Sequence, residues 1–475
     1  MKKRTFSWIA LLALVVTLCA GVFSGCDNGE TGDTGTPGGP QLEETDINLP
    51  EVELDNKKVS IFVQSDSIDD YRMKEDGKVG WVEIAEQQYG MSFDVVSYVD
   101  STRRLSILSA LYMSGEMPDY VGAADYPICL ANNYLEPLEN YIDLDDVMWK
   151  DVRPMMDTLK WKDHYYFLVT KPLEFDIWCV WNPEILAENN VTSPLTHFEN
   201  NTWDWDALKD IAVTVTRDDD GDGTNDVWGL GIDGAIYPLH FSTGVNLLEV
   251  DNENGDFILN IGHEKIAAAA EWFATLGPLN ENVLRIAGTG DMTSADLIAE
   301  FVNGKVAMML ISGNAAGQAS MIELWEKGRI DFCPTPQWMG EGQYYTYAQP
   351  SCAGIGAGCK NPEGGALIAQ IMRYVQTDAY YDKYHNNTYK DRLMESDYKT
   401  VWKMTDSQID RLVKMREIAY NSTPIPFIYY NFWGFDDGFI RNLTANSWSS
   451  VVESVVPVAE SSIEDWLDAM NKVEE

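Results

Sequence analysis

The sequence predicts an α/β protein of two lobes with a helical C-terminal part, and three observations carry that reading. A strand-to-helix alternation begins near residue 58 and starts again after residue 165. The 475 residues are 45% hydrophobic, enough for two or three domains with real cores. From residue 363 the pattern turns mainly helical.

The elements follow in order. Val-Ser-Ile-Phe-Val at 59–63 reads as a buried strand ending at a polar turn, Gln64-Ser65-Asp66. A helix is expected over 80–88 and a strand over 93–98. Leu105, Leu108 and Leu111 recur at helical spacing, Ser114-Gly115 stops that helix, and Tyr120-Val121-Gly122 starts another strand. Such a βαβ rhythm implies a mostly parallel sheet covered on both faces. The second round has strands at 165–169 and 178–181, helices at 205–213 and 264–276, and a helix at 293–302 capped by Thr293 or Ser294. Asn303-Gly304 then turns into a strand at 306–311. The Pro- and aromatic-rich stretch 423–435 interrupts the C-terminal helices, and no repeat of fixed period is present.

The N-terminus predicts export. A basic Met1-Lys-Lys-Arg4, an uncharged apolar run over 8–22, and Phe23-Ser-Gly-Cys26 have the order of a signal with a processing site. The same run is nearly long enough for an uncleaved membrane anchor, but small residues ahead of a cysteine favour cleavage. It resembles the lipobox of bacterial lipoproteins, although Phe23 stands where Leu is usual. That resemblance implies a diacylglycerol on Cys26 and a place on the outer face of the cell membrane. Residues 26–57, rich in Gly, Thr, Pro and acids, are expected to form a disordered tether.

Charge and cysteines exclude several classes. The net charge is −41, and three of the 34 basic residues lie in the signal, so the remainder is more acidic still. That sign repels phosphate backbones and argues against nucleic acid or large polyanions. Beyond Cys19 and Cys26 five scattered cysteines remain, Cys129, Cys179, Cys333, Cys352 and Cys359, without CxxC or metal spacing. Most read as small buried hydrophobes, with a Cys352–Cys359 pair left open.

The strongest local motif is Asp218-Asp-Asp220-Gly-Asp222-Gly223-Thr224-Asn-Asp226. Oxygen side chains at positions 1, 3, 5 and 9, a carbonyl at Thr224 and a glycine at position 6 are features of an EF-hand-like calcium loop. Gly229 stands where a bidentate Glu is expected, so water or another oxygen must complete the shell. A solvated acidic turn is the plain alternative; mutual repulsion of five carboxylates in nine residues favours a structural Ca²⁺. Gly354-Ile-Gly-Ala-Gly358-Cys-Lys360 lacks the spacing and ending of a phosphate loop.

Several stretches match one family in order and spacing. They are Ser114-Gly-Glu-Met-Pro118-Asp119-Tyr-Val, Leu135-Glu-Pro-Leu-Glu-Asn-Tyr141, Val180-Trp181-Asn182 and Trp203-Asp-Trp205. Phe301-to-Met308, Asp331-to-Pro336 and Gly354-to-Glu363 continue the series. From about residue 58 to 475 the chain resembles extracellular solute-binding proteins of the maltose-binding type. The resemblance implies a type II periplasmic-binding-protein-like fold whose lobes close on a ligand by a hinge. Lobe 1 would comprise 58–170 and 312–376, and lobe 2 171–311 and 377–475, with hinges near Val169, Val306 and Gln376. It also implies a monomeric, non-enzymatic receptor that delivers solute to separate ABC permease subunits.

The implied ligand contacts are Ser65, Asp66, Asp125, Tyr126, Tyr237, Gly313, Asn314 and Trp433. Sixteen Trp and 23 Tyr suit stacking on sugar rings, so a mono- or oligosaccharide is the expected solute. The family's usual Trp near Asn314 is missing. A surface glycosidase, which needs two flanking carboxylates, and a sensor or adhesin using the same clamp are the rival readings.

Overall fold

The computed structural model describes residues 47–73, 79–100, 103–233, 237–251, 255–287, 292–348, 352–426 and 447–471. The expected signal, Cys26 and Trp433 lie outside them. The chain divides into two compact units. Unit 1 holds the described residues up to Lys160, His164–Pro172 and Ser351–Ser396; unit 2 holds Trp161–Asp163, Leu173–Pro350 and the rest from Asp397.

The strands in chain order are β1 (Lys58–Val63), β2 (Ser92–Ser97), β3 (Tyr120–Val121), β4 (Leu168–Val169), β5 (Ile177–Trp181), β6 (Trp228–Asp233) and β7 (Leu248–Asp251). They continue with β8 (Asp256–Leu259), β9 (Leu284–Ala287), β10 (Val306–Ser312), β11 (Asp331–Pro334), β12 (Tyr345–Ala348), β13 (Cys352–Ile355) and β14 (Thr423–Pro426).

Unit 1 is built on a sheet of order β2-β1-β3-β13-β4. β1 is parallel to β2 and β3, while β13 is antiparallel to β3 and β4. The helix Trp81–Tyr89 starts where the Glu83 carboxylate accepts the Gly80 N–H at 2.9 Å, and Gly90 at φ 68° ends it. Two motifs behind the family resemblance meet in this unit. The buried Asp119 carboxylate accepts Ser60 N–H and Oγ–H, each at 2.8 Å, and Asn361 N–H at 2.8 Å. Asn361 also caps the helix Pro362–Tyr374, whose apolar residues Leu367, Ile368 and Ile371 fill the core. Arg373 of that helix is buried and donates to Met148 O at 2.8 Å, to Thr170 O at 3.2 Å and to the Asp151 carboxylate.

Unit 2 is built on a sheet of order β11-β5-β10-β6-β9. β10, β6 and β9 are parallel; β5 is antiparallel to β10 and β11. The run Val306–Ile311 is buried throughout because β10 is the central strand. Trp203 Nε1–H donates to Pro334 O at 2.8 Å and Trp205 Nε1–H to Ser242 Oγ at 2.5 Å, which ties the Trp-Asp-Trp segment to the sheet edge and to the helix Tyr237–Ser242. Thr293, not Ser294, caps the helix Ser294–Val302.

Four expectations are corrected. The sheets are mixed, not mostly parallel, because β13, β5 and β11 run against their neighbours. The passage expected at Val306 does not occur: after β10 the helices Gly313–Ala316 and Ala319–Glu326 lead to β11, which pairs with β5, so residues 312–350 stay in unit 2. The passage expected at Gln376 falls after Ser396, since Tyr380 donates to Val79 O and Gln88 to the Tyr384 hydroxyl, which hold the next helices on unit 1. Finally, the residues from Ile47 to Asn56, expected within the tether, are held on unit 1. Ile47 is buried, Tyr89 donates to Pro50 O at 2.8 Å and Asn361 to Asn56 O at 2.9 Å. No helix among the described residues is long and apolar enough to cross a membrane.

Candidate functional site

In unit 1 the parallel, adjacent strands β1, β2 and β3 present their carboxyl ends along one edge. In open α/β sheets ligands bind outside that edge. Ser65 and Asp66 follow β1, Ser97 ends β2, and Asp125 and Tyr126 follow β3. Ser65 is engaged in its own turn, its N–H donating to the Tyr71 hydroxyl at 3.2 Å and its Oγ–H to Asp70. Asp66 is exposed.

Asp125 differs from the expectation of a carboxylate facing hydroxyls. It is buried, and Arg104 donates to both of its oxygens, Nε–H to Oδ2 at 3.1 Å and Nη2 to Oδ1. Arg104 was not among the expected site residues. It opens the helix Arg104–Ser114, where a cation opposes the helix dipole, and that misplacement is the signal that could have found it. Tyr126 is buried edge-on to Phe167, with ring centroids 5.2 Å apart. Burial pushes its phenol well above the ordinary value, so it stays a hydroxyl. Its oxygen has no partner among the described residues, and neither does Ser97 Oγ. Buried polar atoms in that state are uncommon, and here both lie at the carboxyl edge.

Unit 2 repeats the arrangement. Gly313 and Asn314 follow β10, and Tyr237 opens the helix after the neighbouring parallel strand β6. Gly313 N–H donates to Asp176 O at 2.9 Å, and a Cβ there would lie 3.2 Å from the Trp178 indole. A side chain there would require the indole to shift by a few tenths of an ångström. Trp178 was also missed. The resemblance placed a Trp near Asn314 in sequence, whereas here β5 brings one beside Gly313 in space. It is only 4% exposed, stacked on Phe332 at 4.8 Å with Nε1–H donating to Phe175 O at 2.9 Å, so its present role is packing.

The acidic loop brings Asp218, Asp220 and Asp222 together, each with an oxygen within 4.8 Å of the others. Ligands about 2.3–2.6 Å from one Ca²⁺ would have that spacing. Asp218 accepts N–H from Gly221 at 2.7 Å and Gly223 at 2.9 Å, and these bonds, Gly223 first, hold its carboxyl below the usual range. Asp226 stands apart from the three, accepting Asp219 N–H at 2.8 Å. Thr224, expected to offer its backbone carbonyl, donates its N–H to Asp222 at 2.7 Å. The missing Glu at position 12 has a packing cause. A Cβ on Gly229 would lie 2.0 Å from Ala212 O in the helix Trp205–Val215.

The fold has solved counterparts. An uncharacterised protein of Listeria monocytogenes superposes with a TM-score of 0.56 at 13% identity, covering 86% of this chain and 100% of that one. An ABC substrate-binding protein of the same organism, solved with cycloalternan, gives 0.52 at 13% over 85% and 98%. The maltose/maltodextrin-binding domain of Bdellovibrio bacteriovorus bound to maltotriose gives 0.50 at 14% over 86% and 100%. A comparison with curated proteins gives no match. The model of one family matches residues 80–390, well over half of the chain, and with the two α/β units already described it shows that this protein belongs to the bacterial extracellular solute-binding proteins.

Proposed function

We propose that this receptor binds a neutral mono- or oligosaccharide and delivers it to an ABC permease made of other chains. The observation that carries the reading is at the carboxyl edge of unit 1, where the Ser97 and Tyr126 hydroxyls have no partner among the described residues and Arg104 pairs with Asp125. Sugars present many hydroxyls that donate and accept, and an acidic body disfavours anions. The cycloalternan and maltotriose ligands of proteins with this fold support the same class. Binding without turnover is the favoured mode, since the family is one of solute-binding proteins and the Asp125 carboxylate is held by Arg104. A carbohydrate panel read by thermal shift, with the glycan recovered and sized afterwards, tests both points. Stabilisation by an organic anion or a peptide, and by no sugar, would overturn the substrate class; a shortened glycan would overturn binding without turnover.

Two finer parts belong to this reading. A diacylglycerol at Cys26 would keep the receptor at the outer membrane face, and Cys26→Ser should release it or leave it unprocessed in membrane fractionation. Ca²⁺ would pin the loop at Asp218, Asp220, Asp222 and Asp226, with Thr224 O and water. The convergence of three of these carboxylates supports it. Chelation should then lower the melting temperature, and Asp222→Ala should remove that response. Identical melting with and without calcium would refute the ion.

A further inference from the structure

We infer that Cys179 and Cys333 form a disulfide across the sheet of unit 2. The two residues lie 154 positions apart in sequence, and nothing local links them. The register of β5 and β11 places them directly opposite one another in an antiparallel pair, with Trp178↔Pro334 and Val180↔Phe332 on either side. Residues so opposed point to the same face and have Cα atoms about 4.5–5.5 Å apart, inside the roughly 4.4–6.8 Å window of disulfides. Their Cβ atoms, about 4.5–5.5 Å apart in such pairs, need to approach by no more than roughly 1–2 Å to reach bonding range. Among the other cysteines Cys129, Cys352 and Cys359 all belong to unit 1, and no strand register opposes any two of them.

Compartment supports the bond. An extracellular chain is beyond the reductants that keep cytosolic thiols apart. Both sulfurs are fully buried, so the bond must form while the sheet assembles. A small-molecule disulfide such as oxidised glutathione is a sufficient oxidant. One cysteine thiolate attacks it, forming a mixed disulfide and releasing one glutathione thiol; the second cysteine thiolate attacks the mixed disulfide and releases the other. Two electrons pass from the cysteine sulfurs to glutathione, whose two sulfurs take up the two protons.

The bond would close a loop of more than about 100 residues, so it should raise the melting temperature by roughly 5–15 °C. The test refolds the whole chain from denaturant in a glutathione redox buffer and, in parallel, in dithiothreitol. The expected product is lighter by two hydrogens, yields one linked peptide pair containing Cys179 and Cys333 on digestion without reduction, and melts higher than its reduced counterpart. Cys179→Ala and Cys333→Ala should each abolish the difference between the two buffers, while Cys129→Ala should keep it. All seven thiols of the chain still alkylatable after oxidative refolding, or a linked pair other than this one, would overturn the assignment; the mapping uses the unsubstituted chain and does not depend on the variants folding.

Discussion

Asp125→Ala separates the two roles open to that carboxylate, neutralising Arg104 and contacting solute. The side chains are 8% and 17% exposed, and the guanidinium gives the carboxylate two bonds. Removing one partner of a fully buried pair costs about 3–5 kcal/mol, and the residual exposure of Arg104 reduces that to about 2–4 kcal/mol. For units of this size the melting temperature should fall by roughly 5–15 °C. Arg104→Met in the same chain replaces the cation with a flexible apolar side chain, and the double variant should recover most of the loss. Binding should behave differently. If Asp125 accepts a solute hydroxyl, losing that charged acceptor costs about 1.5–3 kcal/mol, roughly 10- to 150-fold in Kd, in the single and the double variant alike. Urea denaturation and calorimetric titration with the solute found in the panel measure the two quantities separately. A double variant that binds like the parent would refute the contact, and a single variant as stable as the parent would refute the buried pair.

Gly229→Ala drives a methyl to 2.0 Å from the Ala212 carbonyl, and neither backbone can yield, so urea melts should show a loss of about 2–4 kcal/mol or an unfolded chain. His240 gives a pH dependence. Burial lowers its pKa to about 4, against a small opposing effect of the bond from its Nε2–H to Val245 O at 2.9 Å. The folded value lies below the unfolded one, so the unfolded chain binds the proton first as pH falls. Stability from this group is present above about pH 6.5 and is lost towards pH 4, by at most about 3 kcal/mol. His240→Gln should flatten that part of the stability curve measured from pH 7 to pH 4.5. An unchanged slope would assign the acid sensitivity elsewhere.

What the sequence disclosed follows the range of the interaction behind each feature. The central strand of unit 2 was legible because a strand buried on both faces is apolar at every position, as Val306 to Ile311 are. The helix end at Gly115 was legible for a local reason, since that residue sits at positive φ. The acidic loop was legible too, because carboxylate-to-backbone turns span two to five residues. Which sheet a strand joins is another matter. β13 finds β3 and β4 across more than about 180 residues of chain, and only the full set of registers decides that it, and not β11, returns to unit 1.

The same limit separates Asp119 from Asp125. Both are acids beside β3 and both are buried; Asp119 lies in a stretch that carried the family resemblance, and Asp125 was an expected ligand contact. Asp119 spends its oxygens on Ser60 and on Asn361, 242 residues away, and is a clasp between the first strand and the returning helix. Asp125 spends its oxygens on Arg104 at the carboxyl edge, next to a tyrosine whose hydroxyl has no partner among the described residues. A clasp uses up its hydrogen-bonding capacity internally, whereas a binding edge keeps some in reserve for solute. That reserve, invisible in the order of residues, is what makes Asp125, and not the structural acid six positions earlier, the carboxylate to test for solute contact.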